Sequence, residues 1–341
     1  MILSVIIPTH NRCSLLQAAL NSLEMQTLPR SDFEVLVIDN GSTDNTKQVV
    51  ESAQQRLGNV RYFYEPTPGL HVGRHLGLKM AKSDILVYAD DDIEAFPTWL
   101  EAIAESFQDP EVVLVGGKNL PKWESDPPDW ILKMWEPDKN GNRILGYLSI
   151  LDLGDQEKEI SPFYVFGCNF SIRKRVLLEA SGFHPDGMPK ELIIYRGDGE
   201  THVSRYIQAK GYKAFYNPKA SIYHVIPRER LTIEYFEYRA FIQGISDSFS
   251  DIRKKHRKDN YDNYETNILA LLKRYLHPLK RKINSLVNPD DWQKNKLKAH
   301  LRQAWLNGYN FHQDAVKQNS ELLKWVLRDD YGDSKYLSAI E

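Results

Sequence analysis

Three consecutive carboxylates, Asp90-Asp91-Asp92, follow directly on the short apolar run from Ile85 to Ala89. A run of that length bounded by polar residues predicts a buried strand, so the carboxylates stand where the strand leaves its sheet. Clustered carboxylates repel one another and resist the loss of water, which calls for a compensating cation. In an extended segment Asp90 and Asp92 point the same way and Asp91 the other. Two hard oxygen ligands with room for water and phosphate suit Mn2+ or Mg2+. An acidic turn that only caps the next helix is the alternative use of the same residues. Thr98-Trp-Leu-Glu101 predicts a capping box for that helix, which would release the aspartates from capping.

The elements that position these carboxylates alternate in type. Leu3 to Ile7 predicts a strand ended by Pro8, followed by the polar loop Thr9-His10-Asn11-Arg12 and a helix with Leu16, Ala19, Leu20 and Leu23 inward. Phe33 to Ile38 predicts a second strand, ended by Asp39-Asn40-Gly41-Ser42, and Val49, Val50 and Ala53 mark the helix after it. Val60 to Tyr64 is a third strand, and Gly69 to Met80 a glycine-punctuated loop running into a helix. Such alternation implies right-handed crossovers and a parallel sheet covered on both faces. Ligands then sit beyond the carboxyl ends of the strands. The clusters at Thr9–Arg12, Asp39–Ser42 and Asp90–Asp92 all fall at those ends. No Gly-x-Gly-x-x-Gly follows the first strand and no phosphate-binding Gly-x-x-x-x-Gly-Lys occurs, which argues against a dinucleotide fold and a P-loop phosphohydrolase.

A chain of 341 residues can bury one large α/β domain with an appendage, and 42% hydrophobic with 26% charged residues is ordinary for a soluble protein. Cys13 and Cys168 give no disulfide framework and fit a reducing compartment. The opening Met-Ile-Leu-Ser-Val-Ile-Ile-Pro reads as a strand rather than a signal peptide, and no apolar stretch nears the roughly 18 residues that span a bilayer. A cytoplasmic protein is the expectation. Residues 251–341 carry 18 Lys and Arg against 12 Asp and Glu, which leaves the first 250 residues at −8. That body speaks against broad nucleic-acid binding, whereas the tail could lie on an anionic membrane surface at the inner face.

Residues 121–165 are expected to be a long irregular segment in which tryptophans such as Trp123 and Trp130 either stack on sugar faces or pin the loop. Further on, Arg196-Gly197-Asp198-Gly199-Glu200 opens a helix, where carboxylates can act as caps. Tyr212 to Tyr216 and Ala220 to Tyr223 read as strands, the second ending in His224, a residue more often structural than a ligand. From Leu231 the pattern is helical to the end. Arg253-Lys254-Lys255-His256-Arg257-Lys258 and Lys280-Arg281-Lys282 supply its charge, and Leu322, Leu323, Val326 and Leu327 form an apolar face. Packing on the body, a homodimer or a membrane surface would each use that face.

Together these segments resemble the family 2 glycosyltransferases, whose nucleotide-sugar-binding fold is called GT-A. The matching pieces are Ser4 to Arg12, Val37 to Asp44, Gly73-Arg-His-Leu-Gly77, Asp90-Asp91-Asp92, Gly167-Cys-Asn169 with Arg173, and Gly182-Phe-His-Pro185. Gly197-Asp-Gly-Glu200 with Arg205, Gly211-Tyr212 and His224 complete the set, so the likeness covers about residues 1–230. It implies an α/β GT-A nucleotide-diphospho-sugar transferase fold, a mostly parallel central sheet flanked by helices, with a C-terminal helical extension. Residues 1–120 would be the nucleotide-sugar-binding half, 121–230 the acceptor and catalytic-base half, and 231–341 the extension.

The resemblance also implies roles. Pro8, Thr9, Arg12 and Asp39 would hold base and ribose, a carboxylate being a sound acceptor for the uracil N–H. Arg74, with Asp90 and Asp91, would meet the diphosphate sugar. Asp90, Asp92 and His224 would bind Mn2+ or Mg2+, offsetting charge on the departing diphosphate. Asn169, Trp123 and Trp130 would meet the donor sugar or the acceptor. Inverting transfer needs a base on the opposite face of the sugar. Anchored on Gly197 and Arg205, the family's Glu falls on Asp198 and its Asp on Gly199, so the base is expected at Asp198, with Glu200 as the alternative. His75 stands where the family usually has Asn. The chain lacks the Gln-x-x-Arg-Trp of processive synthases, which favours transfer of a single sugar from a UDP-sugar to a glycan or lipid-linked glycan in cell-surface glycoconjugate synthesis. A non-catalytic nucleotide-sugar-binding homologue and a membrane-surface-binding protein are the competing readings.

Overall fold

A computed structural model describes residues 1–188, 190–256 and 289–332, with the backbone alone for 289–295. In chain order the strands are β1 (Leu3–Thr9), β2 (Phe33–Asp39), β3 (Val60–Tyr64), β4 (Ile85–Ala89), β5 (Ile93–Ala95), β6 (Val112–Gly116), β7 (Asn119–Trp123), β8 (Arg143–Leu145), β9 (Ile150–Asp152), β10 (Lys158–Ile160), β11 (Asn169–Arg173), β12 (Lys213–Tyr216) and β13 (Ile222–Ile226). The α-helices are α1 (Cys13–Glu24), α2 (Thr46–Leu57), α3 (Leu70–Met80), α4 (Trp99–Ser106), α5 (Asp129–Met134), α6 (Lys174–Glu179), α7 (Glu200–Lys210), α8 (Ile233–His256), α9 (Pro289–Gln318) and α10 (Ser320–Val326). Among the described residues one compact unit holds 1–193, 198–231 and 329–332, and a second holds 194–197 and 232–328.

The first unit is built on a sheet of order β10-β12-β6-β11-β4-β1-β2-β3. β1 runs parallel to β2 and β4, and β2 parallel to β3, whereas β11 lies antiparallel between β4 and β6. Every residue of β1, β2 and β4 is buried, as expected of strands covered on both faces. Their alternation sorts the core in two. Val5, Ile7, Val35 and Val37 pack with Leu16 and Leu20 of α1, Val50 of α2 and Trp99 of α4. Ile6, Leu36 and Ile38 pack with Leu78 of α3, Val176 of α6 and Val203 of α7.

Three local expectations are corrected. Residues 121–165 are not irregular: they supply β7, β8 and β9 to a second sheet of order β5-β13-β7-β9-β8, and the half-buried Trp123 lies on β7 in pairing register with Ile226. The capping box at α4 does not form. Thr98 Oγ1 donates to Lys219 O at 3.0 Å, and Glu101 Oε2 accepts from Thr27 Oγ1 at 2.6 Å, so both side chains answer to neighbouring segments instead. His224 sits inside β13 rather than at its end, because pairing with β7 continues to Ile226.

In the second unit α8 and α9 cross at very short range. A Cβ on Gly244 would stand 2.1 Å from Trp305 O, and one on Gly308 would stand 1.9 Å from Phe241 O, so only glycine admits this approach. Of the apolar face near the C-terminus, Leu322 and Val326 are buried and Leu323 and Leu327 half-buried, in the packing of α8, α9 and α10. Arg253, first of the basic run, is also buried and donates to Val326 O and Arg328 O, the carbonyls at the end of α10. Arg257, Lys258, Lys280, Arg281 and Lys282 lie outside the described residues. No helix among the described residues is long and apolar enough to cross a membrane.

Candidate active site

The carboxyl ends of β1, β2 and β4 and the N-terminal end of the antiparallel β11 meet at one rim of the main sheet, with Asn169 in register with Ala89. β4 stops at Ala89, and the three aspartates form a turn into β5. The extended-chain expectation for them therefore fails, and each carboxylate finds its own direction. Thr9 Oγ1 donates to Asp91 Oδ2 at 2.8 Å, and Arg12 divides its fork between Asp91 Oδ1 (2.5 Å) and Asp92 Oδ2 (2.8 Å). Asp90 turns instead to Arg74 Nη2 at 3.3 Å. Burial pushes Asp91 up to about 7, with the Arg12 charge opposing it and the Asp92 charge adding to it. Burial acts the same way on Asp92, but His224, Arg12 and Arg230 outweigh it and hold that carboxyl well below the usual range.

Strand pairing brings His224 to the turn. His224 is in register with Ile93, and Val225 N–H donates to Asp92 O at 2.9 Å. Its Nδ1 donates to Leu148 O at 2.9 Å, since a carbonyl only accepts. Nε2 then points at Asp92 Oδ1, 3.3 Å away, and at Arg230 Nη1, 3.4 Å away. Arg230 also reaches Asp92 Oδ2 at 3.1 Å, a contact with no signal in the sequence.

Arg74 is buried in α3 and stacks on the Phe183 ring at 5.4 Å. Its Nη2 reaches Asp90 Oδ1 at 3.3 Å and Gly167 O at 3.4 Å, while Nη1 lies 3.5 Å from Glu200 Oε2. One guanidinium thus ties the acidic turn to the first residue of α7.

The two base candidates receive opposite surroundings. Asp198 is enclosed, with 3% of its side chain exposed; His184 Nδ1 lies 2.6 Å from Oδ1, and Arg205 Nη1 donates to Oδ2. Burial alone would raise its pKa, but Arg205 and His184 outweigh it and hold it well below the usual value. Both of its oxygens face partners, so Asp198, expected to meet an acceptor, is here the buried member of an ion pair. Glu200 keeps 36% of its side chain exposed and faces the Arg74 side of the rim.

Other expected residues are placed differently. Pro8 pairs with Ile38 inside the sheet, and Gly73 of α3 packs on its ring. Asp39 is buried; Oδ1 accepts Ser42 N–H at 2.8 Å and Oδ2 accepts the Tyr62 hydroxyl at 2.7 Å, so Tyr62 is a neighbour the sequence did not single out. Burial and the Asp39 charge push the Tyr62 hydroxyl up. Trp130 lies half-buried in α5. Asn169 cannot meet a sugar as it stands: Oδ1 accepts Trp99 Nε1–H at 2.9 Å, and Nδ2 donates to Asn119 Oδ1 (3.1 Å) and Ala220 O (3.0 Å). Asn169→Leu is expected to lower stability by about 1–3 kcal/mol through the buried donors and acceptors it orphans. Urea unfolding reads that cost, and a variant of native stability but weaker donor binding would return Asn169 to the ligand.

A family model described as Glycosyl transferase family 2 matches residues 4–179. The chain belongs to glycosyltransferase family 2. The fold of this family 2 chain is GT-A-like: the mannosyltransferase PcManGT from Pyrobaculum calidifontis, solved with GDP-Man and Mn2+, superposes with a TM-score of 0.52 over 99% of this chain and 86% of that one, at 18% identity. The glycosyltransferase AglE of Haloferax volcanii is 36% identical over 115 residues, 33% of this chain and 38% of that one. The GalNAc(5)-diNAcBac-PP-undecaprenol beta-1,3-glucosyltransferase of Campylobacter jejuni is 26% identical over 234 residues, 68% of this chain and 67% of that one. The chain thus spans well under half of AglE.

Fold and family together raise the question of a divalent cation in this family 2 glycosyltransferase. Among the described residues no three His, Cys, Asp or Glu side chains form a metal cage. Two donors do converge. Asp92 Oδ1 is buried without a hydrogen bond, 3.3 Å from His224 Nε2, close to the roughly 3 Å between neighbouring ligands on an octahedral cation bonded at about 2.1 Å. Asp92 and His224 would fit such an ion as a partial set of two ligands. Asp90 is paired with Arg74.

Proposed function

We propose that this chain is an inverting transferase that moves a single sugar from a nucleotide-diphosphate donor, a UDP-sugar, to a hydroxyl of a glycan or lipid-linked glycan. The observation that carries the reading is the Arg74 bridge between Asp90 and Glu200. It sets a partly exposed carboxylate within one guanidinium of an acidic turn at the sheet's ligand-binding rim. Residues 1–120 supply the nucleotide side of the site and 121–230 the acceptor side. Asp39 accepts from the uracil ring N–H while Tyr62 and Ser42 fix the carboxylate, and Thr9 and Arg12 line the ribose side. Asp92 and His224 would hold Mn2+ or Mg2+, which when bound would offset charge on the leaving diphosphate. Glu200 takes the proton of the acceptor hydroxyl on the face of the sugar opposite the leaving group, so the anomeric centre inverts. The Campylobacter relative, whose name places a glucosyl group on a PP-undecaprenol-linked glycan, supports an acceptor of that class.

A thermal-shift screen of nucleotide-sugars with Mn2+ tests the reading, since a true donor stabilises by mass action. UDP-sugars are expected to raise the melting temperature with Mn2+ present and less so with a chelator. Asp92→Ala is expected to stay folded by circular dichroism and lose the Mn2+-dependent part of that rise. Equal Mn2+ dependence in the variant would remove Asp92 from the metal, and a flat screen would remove the donor class.

A further inference from the structure

The chain leaving α10 runs on into the first unit, where Tyr331 is buried beside His75 and His184. His75 receives it. Phe183 N–H donates to His75 Nε2 at 2.8 Å, so that nitrogen is the acceptor, and Nδ1–H donates to Tyr331 O at 3.1 Å. Burial, with His71 nearby, pushes His75 down to about 3, so the ring stays neutral and keeps this tautomer through the working pH range. This is the position where the family resemblance leads one to expect Asn. The Tyr331 ring meets the His184 ring edge-on at 5.2 Å, and the opposite neighbour of His184 is the His202 ring of α7, stacked at 3.6 Å.

His184 grips the turn before α7 at two points. Its Nδ1 pairs with Asp198 at 2.6 Å, and its backbone N–H donates to Gly199 O at 3.3 Å. Gly199 holds φ +53°, ψ −128° as the helix N-cap, a backbone that other residues rarely adopt, so the turn depends on outside support. Glu200 follows immediately. A continuous path of contacts therefore runs from the Tyr331 main-chain carbonyl and ring through His75, Phe183 and His184 to Asp198 and Gly199, the two residues before the proposed base.

We propose that Tyr331 is a positioning residue for Glu200: the returning segment is a built part of the catalytic unit that sets the Asp198–Glu200 turn. The inference rests on Glu200 being the base. A displacement of about 1 Å at a reacting group costs on the order of 10²-fold in rate. Tyr331→Ala is therefore expected to lower kcat by tenfold to a hundredfold while the donor KM moves less than twofold. Tyr331→Phe keeps the ring and is expected to turn over at the normal rate. Tyr331→Leu fills the same space without the aromatic edge, keeps the fold, and is expected to lose kcat as the Ala variant does. A Tyr331→Leu enzyme, folded by circular dichroism, that turns over normally would overturn the proposal. Loss of the fold in both Ala and Leu variants would make Tyr331 merely structural and overturn it too. Glu200→Gln assayed alongside separates the two ideas: normal turnover there sinks the base assignment, whereas a dead Glu200→Gln beside normal Tyr331 variants sinks only the positioning role.

Discussion

Glu200→Gln is expected to lower kcat by roughly 10²–10⁴-fold, the span of a lost general base, with donor affinity little changed. The substitution keeps the length and shape of the side chain and leaves the Asp198 pairs alone. It removes one of two carboxylates on Arg74, but Asp90 still answers that guanidinium and the Phe183 ring still covers it, so the pocket keeps its form. Calorimetry with UDP and Mn2+ should give a Kd near the native one, which separates a loss of proton transfer from a loss of binding. Single-turnover transfer at the native rate would move the base elsewhere. The expected contrast is with Arg74→Met, which would leave Asp90 and Glu200 facing each other uncompensated and should weaken donor binding and turnover together.

The frame of this site was legible because it is written in contiguous segments. Apolar runs ended by Pro8, Asp39 and Asp90 predicted strands whose carboxyl ends share a rim, and β1, β2 and β4 do lie side by side with those residues at one end. Residue roles were harder to read, since each depends on partners far away in the chain. Asn169 looked like a polar group beside a ligand, yet Trp99 of α4, Asn119 of β7 and Ala220 in the loop before β13 take up its amide. The triple-Asp read as an extended ladder with two parallel side chains; the turn into β5 and the arginines at 12, 74 and 230 set their directions instead. The choice between Asp198 and Glu200 was hard to read for the same reason. Spacing placed both near the start of a helix, while exposure is decided by His184, fourteen residues earlier, and by Arg205, seven residues later on α7. Tyr62 and Tyr331 carried no local signal at all, because their partners are Asp39 on a neighbouring strand and His75 some 256 positions away.

Asp198→Asn should damage the fold rather than the chemistry. Removing one member of an enclosed ion pair strands the others, at a cost of about 3–5 kcal/mol. Arg205, with about a third of its side chain exposed, can turn to water, which argues for the lower end of that range. For a unit of this size the apparent melting temperature should fall by roughly 6–12 °C. The pH dependence fixes the cause. Arg205 and His184 outweigh burial and hold the folded carboxyl well below its unfolded value of about 3.9. The pair's contribution is therefore fully present above that unfolded value and drains away as pH falls through it toward the folded one. The deficit of the Asn variant should accordingly be constant between pH 7 and 5 and narrow as the pH drops to 3. Melting curves at those pH values decide the matter: a deficit that widens in acid, or none at pH 7, would mean that Asp198 does not hold this turn as an ion pair. Its carboxylate would then be free to compete with Glu200 for the acceptor proton.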